Sequence, residues 1–194
     1  MGTKPLRLAV DTNVLLDLAE PVEAVLDAFA VLDRRLPDHD RLVVPSVLDE
    51  LAFLCDSADT ERVRQLALAA LELGREPGRF RVMLELVYPQ DTVEEVARAV
   101  RSPDLLPTEE VHDSLILAEA ALLGCGLLLT SDEHLRGVDH EHLTLVLNPF
   151  ELMPPVIASP RDLVRKFLVH PQSLYLDSCK PRSLRMKNSS SRYP

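Results

Sequence analysis

Short runs of consecutive apolar residues alternate along the chain with longer stretches of helical periodicity. "LRLAV" at 6–10 is apolar at nearly every position, the pattern of a strand buried on both faces in a parallel sheet. A helix is expected from about Asn13, and after Pro21 the spacing of Val22, Val25, Leu26, Phe29 and Leu32 predicts another. "RLVVP" reads as a second buried strand. Ser46 then stands as a helix cap, with Asp49 three residues on as in a capping box. Residues 60–74 form a further helical stretch closed by Gly74, and "FRVMLELVYP" is ambiguous, closest to a strand or edge segment. "DTVEEVARAV" predicts a short helix capped by Asp91 or Thr92. A long one follows Thr108, with Glu109 and Glu110 in its first turn and Gly124 at its end. "GLLLTSD" and "LTLVLN" read as the third and fourth strands, "PFELM" as a short helix begun by Pro149, and "SPRDLVRKFL" as a last helix capped by Ser159.

Strands alternating with helices argue for an α/β fold with a mainly parallel central sheet. The 194 residues suffice for one domain and a tail, and 46% hydrophobic with 27% charged residues is a globular composition. No apolar run is long enough to span a bilayer, and the start lacks the apolar stretch of a signal peptide. Three separated cysteines, Cys55, Cys125 and Cys179, form no CxxC pair and fit reduced thiols in a cytoplasmic protein.

Charge sharpens the picture. The net value of −10 conceals eight basic against two acidic residues from Arg161 onward, and 13 against 29 before it, a body of −16. Such a body is a poor polyanion binder unless a metal neutralises some acids or basic surface is gathered locally. Ligand sites of parallel α/β sheets lie beyond the carboxyl ends of the strands. Four acids fall where the predicted elements end or begin: Asp11 after "LRLAV", Glu50 early in the helix after "RLVVP", Asp113 early in the helix leading to "GLLLTS", and Asp132 directly after it. Taken singly, each is ordinary as a turn former, cap or solvated residue. Brought together, they repel by roughly 4 kcal/mol per pair at about 4 Å and an effective dielectric near 20. Protonation or a divalent cation relieves that cost, and oxygen-only donors select hard ions, Mg²⁺ or Mn²⁺.

The segments carrying these acids, "VDTNVLL", "VPSVLDEL", "HDSLILAEA" and "LLLTSD", resemble in order and type the signature segments of the PIN-domain family. "LVLNPFEL" resembles the closing strand and short helix of such domains, so the resemblance runs from about residue 6 to 153. It implies a three-layer α/β/α sandwich and Mg²⁺- or Mn²⁺-dependent cleavage of RNA phosphodiesters, leaving a 5′-phosphate and a 3′-hydroxyl. Carried over by position, Asp11, Glu50, Asp113 and Asp132 become the catalytic and metal-binding acids. Thr12 and Asn13 would support Asp11, and Ser131 would brace Asp132. An antitoxin protein and a homodimer are partners by the same resemblance, with translation control or RNA processing as the role. The expected organisation is a nuclease domain over 1–158, containing a long helical insertion at about 55–107. An extra helix and basic tail follow over 159–194, features absent from compact toxins.

Arg161, Arg165 and Lys166 lie on or near one helix and are candidate RNA contacts, as is the basic tail from Pro171. His112, one helical step from Asp113, is expected to point away from the acids and stay partly exposed. His134 could touch a phosphate. Asp139 could be an outer acid, within a "DHEH" stretch whose composition is that of solvated loop. Two rival functions use the same fold: a non-catalytic module docking RNA or protein, and a structure-specific DNA nuclease. A dinucleotide site fails for want of GxGxxG after the first strand, and a phosphatase for want of a second acid two residues after Asp11.

Overall fold

The structure, a computed structural model, describes residues 5–102 and 105–168. Five strands, β1 (Leu6–Val10), β2 (His39–Val43), β3 (Arg81–Val82), β4 (Leu127–Leu129) and β5 (Val156–Ala158), form one sheet ordered β3-β2-β1-β4-β5. Every pairing is parallel. Leu8, Ala9 and Val10 have no exposed surface, as expected for a central strand flanked on both sides. In register, Ala9 lies beside Leu42 on one side and Leu128 on the other.

The helices are α1 (Thr12–Ala19), α2 (Glu23–Arg35), α3 (Pro45–Ser57), α4 (Glu61–Arg75), α5 (Gln90–Val100), α6 (Val111–Leu122), α7 (Glu133–Gly137), α8 (His140–Leu147) and α9 (Pro160–Leu168). Contacts sort most of them into two groups: α1 to α4 with α9, and α5 with α6 and α8. These are the faces that right-handed crossovers dictate for this strand order. The architecture is the expected three-layer α/β/α sandwich around a parallel sheet. From β1 the chain winds outward through β2 to β3, then crosses back to β4 beside β1. The carboxyl ends of β1 and β4 therefore flank the point where strand order reverses.

Two glycines make the approach to β4 workable. Gly124 ends α6 with φ +65°, a left-handed position that costs glycine little. A Cβ on Gly126 would meet Leu6 Cδ1 at 2.5 Å, so a larger residue there would have to turn the end of the Leu6 side chain aside.

Several local expectations are corrected. "LTLVLN" is helical, not the fourth strand: Asp139 caps α8 by accepting from the His142 N–H at 2.8 Å, and Leu143 and Leu147 bury one turn apart. The sheet closes instead with β5, so "LVLNPFEL" supplies no strand. "PFELM" contributes only a single 3-10 turn at Asn148–Phe150, ended by left-handed Glu151. "FRVMLELVYP" reduces to the two-residue edge strand β3. The second strand begins at His39, two residues before the expected start. α6 begins at Val111, after Thr108, which leaves Glu110 at its cap position and Asp113 in its first turn. α5 follows Pro89 rather than a capping Asp91 or Thr92. α4 begins at Glu61, with Thr60 as its cap rather than its first residue, and runs through Gly74 to Arg75. Ser159 caps α9 as expected, accepting from the Asp162 N–H at 3.1 Å. No described helix is long and apolar enough to cross a membrane. The basic tail and Cys179 lie outside the described residues.

Candidate metal centre at the strand switch point

Asp11 follows β1 and is 3% exposed. Its N–H continues the ladder to the Leu129 carbonyl at 3.0 Å, which fixes the residue against β4. Three donors converge on its carboxylate: the Thr12 N–H on Oδ1 at 2.6 Å, and Asn13 Nδ2 at 2.7 Å and Thr130 Oγ1 at 2.6 Å on Oδ2. All three are neutral. Burial pushes the Asp11 carboxyl up to about 6, and the Glu50 and Asp132 charges add to the rise, while the Thr130 and Thr12 bonds oppose it.

Asp113 is the sharper case. Among the described residues it accepts no hydrogen bond. Burial raises its carboxyl to about 7, helped by the charges of Asp132, Asp11, Glu110 and Glu50 in that order. Asp113 therefore stands within electrostatic reach of the other three acids named from the sequence, and Asp11 within reach of Glu50 and Asp132. Glu50, on α3, differs in kind. Burial opposes its charge too, but His112 and the Thr12 hydroxyl, which donates to Oε2, outweigh that and hold the carboxyl below its usual range. Asp132 caps α7, with Oδ1 accepting from the N–H groups of His134 at 2.7 Å and Leu135 at 3.0 Å. Neither bond uses Oδ2.

Two supporting roles differ from expectation. Ser131 does not brace Asp132: its N–H donates to Asn13 Oδ1 at 2.9 Å, and its hydroxyl lies 3.5 Å from Asp17 Oδ2. Thr130 does that work, accepting the Asp132 N–H at 2.9 Å while donating to Asp11, so one hydroxyl ties the β1 and β4 acids together. His112 does not point away either. Its Nε2 lies 3.1 Å from Glu50 Oε2, and that contact raises the imidazole above its ordinary value. The packing of α6 against α3 brings the two residues together, which a view of α6 alone does not show.

Three residues were missed or set aside. Glu110 Oε1 lies 3.0 Å from His134 Nδ1, and ligand atoms of Glu110, Asp113 and His134 all fall within 4.8 Å of one another, close enough to hold a metal ion. Glu110 looked like a helix-dipole residue because α6 was expected to start earlier. Glu119, 4% exposed on α6, accepts both the Ser46 N–H at 3.0 Å and the Ser46 hydroxyl at 2.9 Å. It thus replaces the expected Ser46–Asp49 capping box and secures the first turn of the helix that carries Glu50. Burial raises the Glu119 carboxyl, and the Ser46 bonds oppose the rise. Asp139 is spent as the α8 cap. Arg161, Arg165 and Lys166 sit on exposed positions of α9; the first two line a groove and Lys166 does not.

Oxygen-rich donors, a carboxylate with no donor of its own, and raised acidities fit a hard divalent cation by donor chemistry. The fold and this cluster give a three-layer α/β/α architecture with a potential metal-chelating site. No family model matches the chain, and no curated protein matches it. Among solved structures, it is similar to a chain of VapBC2 from Rickettsia felis, determined bound to a DNA fragment from their promoter. The TM-score is 0.52 with 12% identity, covering 79% of this chain and 98% of that one. At that identity the likeness is one of fold.

Proposed function

We propose that the protein is a Mg²⁺- or Mn²⁺-dependent endoribonuclease, with Asp11, Glu50, Asp113 and Asp132 as its catalytic acids. The observation that carries this reading is Asp113, a half-buried carboxylate with no hydrogen-bond donor among the described residues, raised to about 7 by burial and its acidic neighbours. A site built at this electrostatic cost is a site for a cation. Asp113 stands with Glu110 and His134, whose ligand atoms already lie within 4.8 Å of one another; Asp11 and Asp132 Oδ2 would add oxygen donors, and Glu50 is aimed by Thr12 and His112. When bound, such an ion polarises a phosphate oxygen and acidifies water.

The chain's own residues prepare that chemistry. Asn13, Thr12 and Thr130 fix both Asp11 oxygens before any ligand arrives, so little reorganisation is needed. Glu50 is held charged, and Asp113, raised to about 7 by burial and its acidic neighbours, would release its proton on coordinating a cation. The domain is taken to span 1–158, with the helices over about 55–107 as an insertion and 159–194 appended. Similarity to a VapBC2 chain supports an antitoxin as partner.

Cleavage of a labelled single-stranded RNA with Mn²⁺, with EDTA, and by Asp11→Asn tests the proposal, with a matched DNA oligonucleotide alongside. Mn²⁺-dependent RNA cleavage lost in the variant is expected. Binding without cleavage would make the chain a docking module, and DNA preference a DNA nuclease; either outcome overturns the proposal.

A further inference from the structure

We propose that His134 is a nitrogen ligand of the cation, and that it makes the site select Mn²⁺ over Mg²⁺. This rests on the cation site of the reading above and names the ion that fills it.

Three observations point to ligation. First, convergence: His134 Nδ1 lies 3.0 Å from Glu110 Oε1, and with an Asp113 oxygen these atoms stand within 4.8 Å of one another. A six-coordinate ion with bonds of about 2.1 Å holds adjacent ligand atoms about 3 Å apart and opposite ones about 4 Å apart. The three atoms are therefore spaced to share one ion. Second, aim: Asp132 Oδ1 accepts the N–H groups of His134 at 2.7 Å and Leu135 at 3.0 Å, and Leu135 is fully buried. The backbone that carries the imidazole is thus fastened both by an acid of the site and by the core. Third, partners: the other imidazole nearby, His112, is engaged by Glu50, whereas His134 is exposed and meets Glu110. A plain Glu110–His134 ion pair calls for no third acid. Yet Asp113 stands beside them, accepting no hydrogen bond among the described residues.

Donor chemistry then decides the ion. Carboxylate oxygens suit Mg²⁺, Ca²⁺ and Mn²⁺ alike. Imidazole suits transition metals, whereas Mg²⁺ keeps to oxygen and gives up its waters reluctantly. Several carboxylates with a single imidazole therefore favour Mn²⁺ among these three. Zinc is served less well, because its protein sites are mostly four-coordinate and rich in nitrogen and sulfur.

The test uses the full chain without an affinity tag, stripped of metal. Mn²⁺ and Mg²⁺ binding are measured by isothermal calorimetry in wild type, His134→Gln and His140→Gln, the last an exposed histidine on α8 that serves as control. Glutamine at 134 keeps the backbone N–H that Asp132 accepts, so the α7 cap survives. Pulsed EPR of the Mn²⁺-loaded proteins reads nitrogen coupling to the ion directly. Wild type is expected to show that coupling and to bind Mn²⁺ at least about tenfold more tightly than Mg²⁺. His134→Gln should lose the coupling and about tenfold in Mn²⁺ affinity, with Mg²⁺ affinity within about twofold of wild type. His140→Gln should match wild type. Coupling that persists in His134→Gln, equal losses for both ions, or equal Mn²⁺ and Mg²⁺ affinity in wild type would overturn the assignment. The two failures separate cleanly. Ion binding without nitrogen coupling, in a chain that cleaves RNA, sinks the His134 ligand alone. Coupling that depends on His134, in a chain that cleaves no RNA, sinks the nuclease reading alone.

Discussion

The two ends of the central sheet use the same residue types to opposite effect. At the amino end, beside the starts of β2 and β3, a cavity of about 630 Å³ is lined by charges that meet partners. Arg41 pairs with Asp33, donates to His39 Nε2 at 2.9 Å and lies 4.8 Å over the Phe29 ring. Arg79 reaches Glu76 at 2.8 Å, and Arg81 stands 4.0 Å from Asp40. At the carboxyl end no arginine or lysine answers Asp11 or Asp113 among the described residues; hydroxyls, an amide and two imidazoles stand there instead. Paired charges hold a surface in place. Acids gathered without cations leave a deficit that a ligand can fill, and on the proposed function this contrast separates a structural end from a functional one.

The contrast breaks first by substitution. Asp113→Asn and Asp11→Asn should each cut RNA cleavage by more than about a hundredfold, the scale at which a principal electrostatic group acts. Arg41→Ala should leave the rate within about twofold; equal losses at both ends, in a cleavage assay, would erase the distinction. Next in size, Glu119→Ala leaves the Ser46 N–H and hydroxyl without their carboxylate, a loss of about 1–3 kcal/mol. Its melting temperature should drop by roughly 4–8 °C, and cleavage should weaken as the turn bearing Glu50 loosens. Glu119→Gln, which keeps one acceptor, should fall between. Third, acidity: Asp113 sits near 7 in the fold against 3.8 ordinarily, so the fold favours its neutral form. That contribution is intact below about pH 4, declines as pH rises, and is gone above about pH 7. Metal-free Asp113→Asn should therefore match wild type near pH 4 and melt about 4 °C higher at pH 8, as scanning calorimetry would show. Smallest, Arg41→Ala should lower the melting temperature by about 2–3 °C near neutral pH, since its losses are a partly exposed ion pair, a hydrogen bond and a ring contact.

Much of this contrast was legible in the chain. Runs such as "LRLAV" and "GLLLT" can bury only as parallel strands, and an acid directly after each is visible without coordinates. β5 was not legible, because three residues after a double proline carry no periodicity. "LTLVLN" alternates like a strand, yet the cap on Asp139 and the one-turn spacing of Leu143 and Leu147 decide for helix. The site's second rank was hidden for a different reason. His112 and Glu119 act across the α6–α3 interface, and Thr130 acts between β1 and β4, so their partners are fixed by packing rather than by local sequence. Glu110 was obscured by an error of two residues in the start of α6.

The most direct test titrates Mn²⁺ into metal-free wild-type and Asp113→Asn protein at pH 7.5 by isothermal calorimetry. Saturable binding of at least one ion per wild-type chain, weakened by about tenfold or more in the variant, is the predicted result. Equal Mn²⁺ binding by both proteins, or none by wild type, would contradict the claim that the acids at the switch point exist to hold a cation.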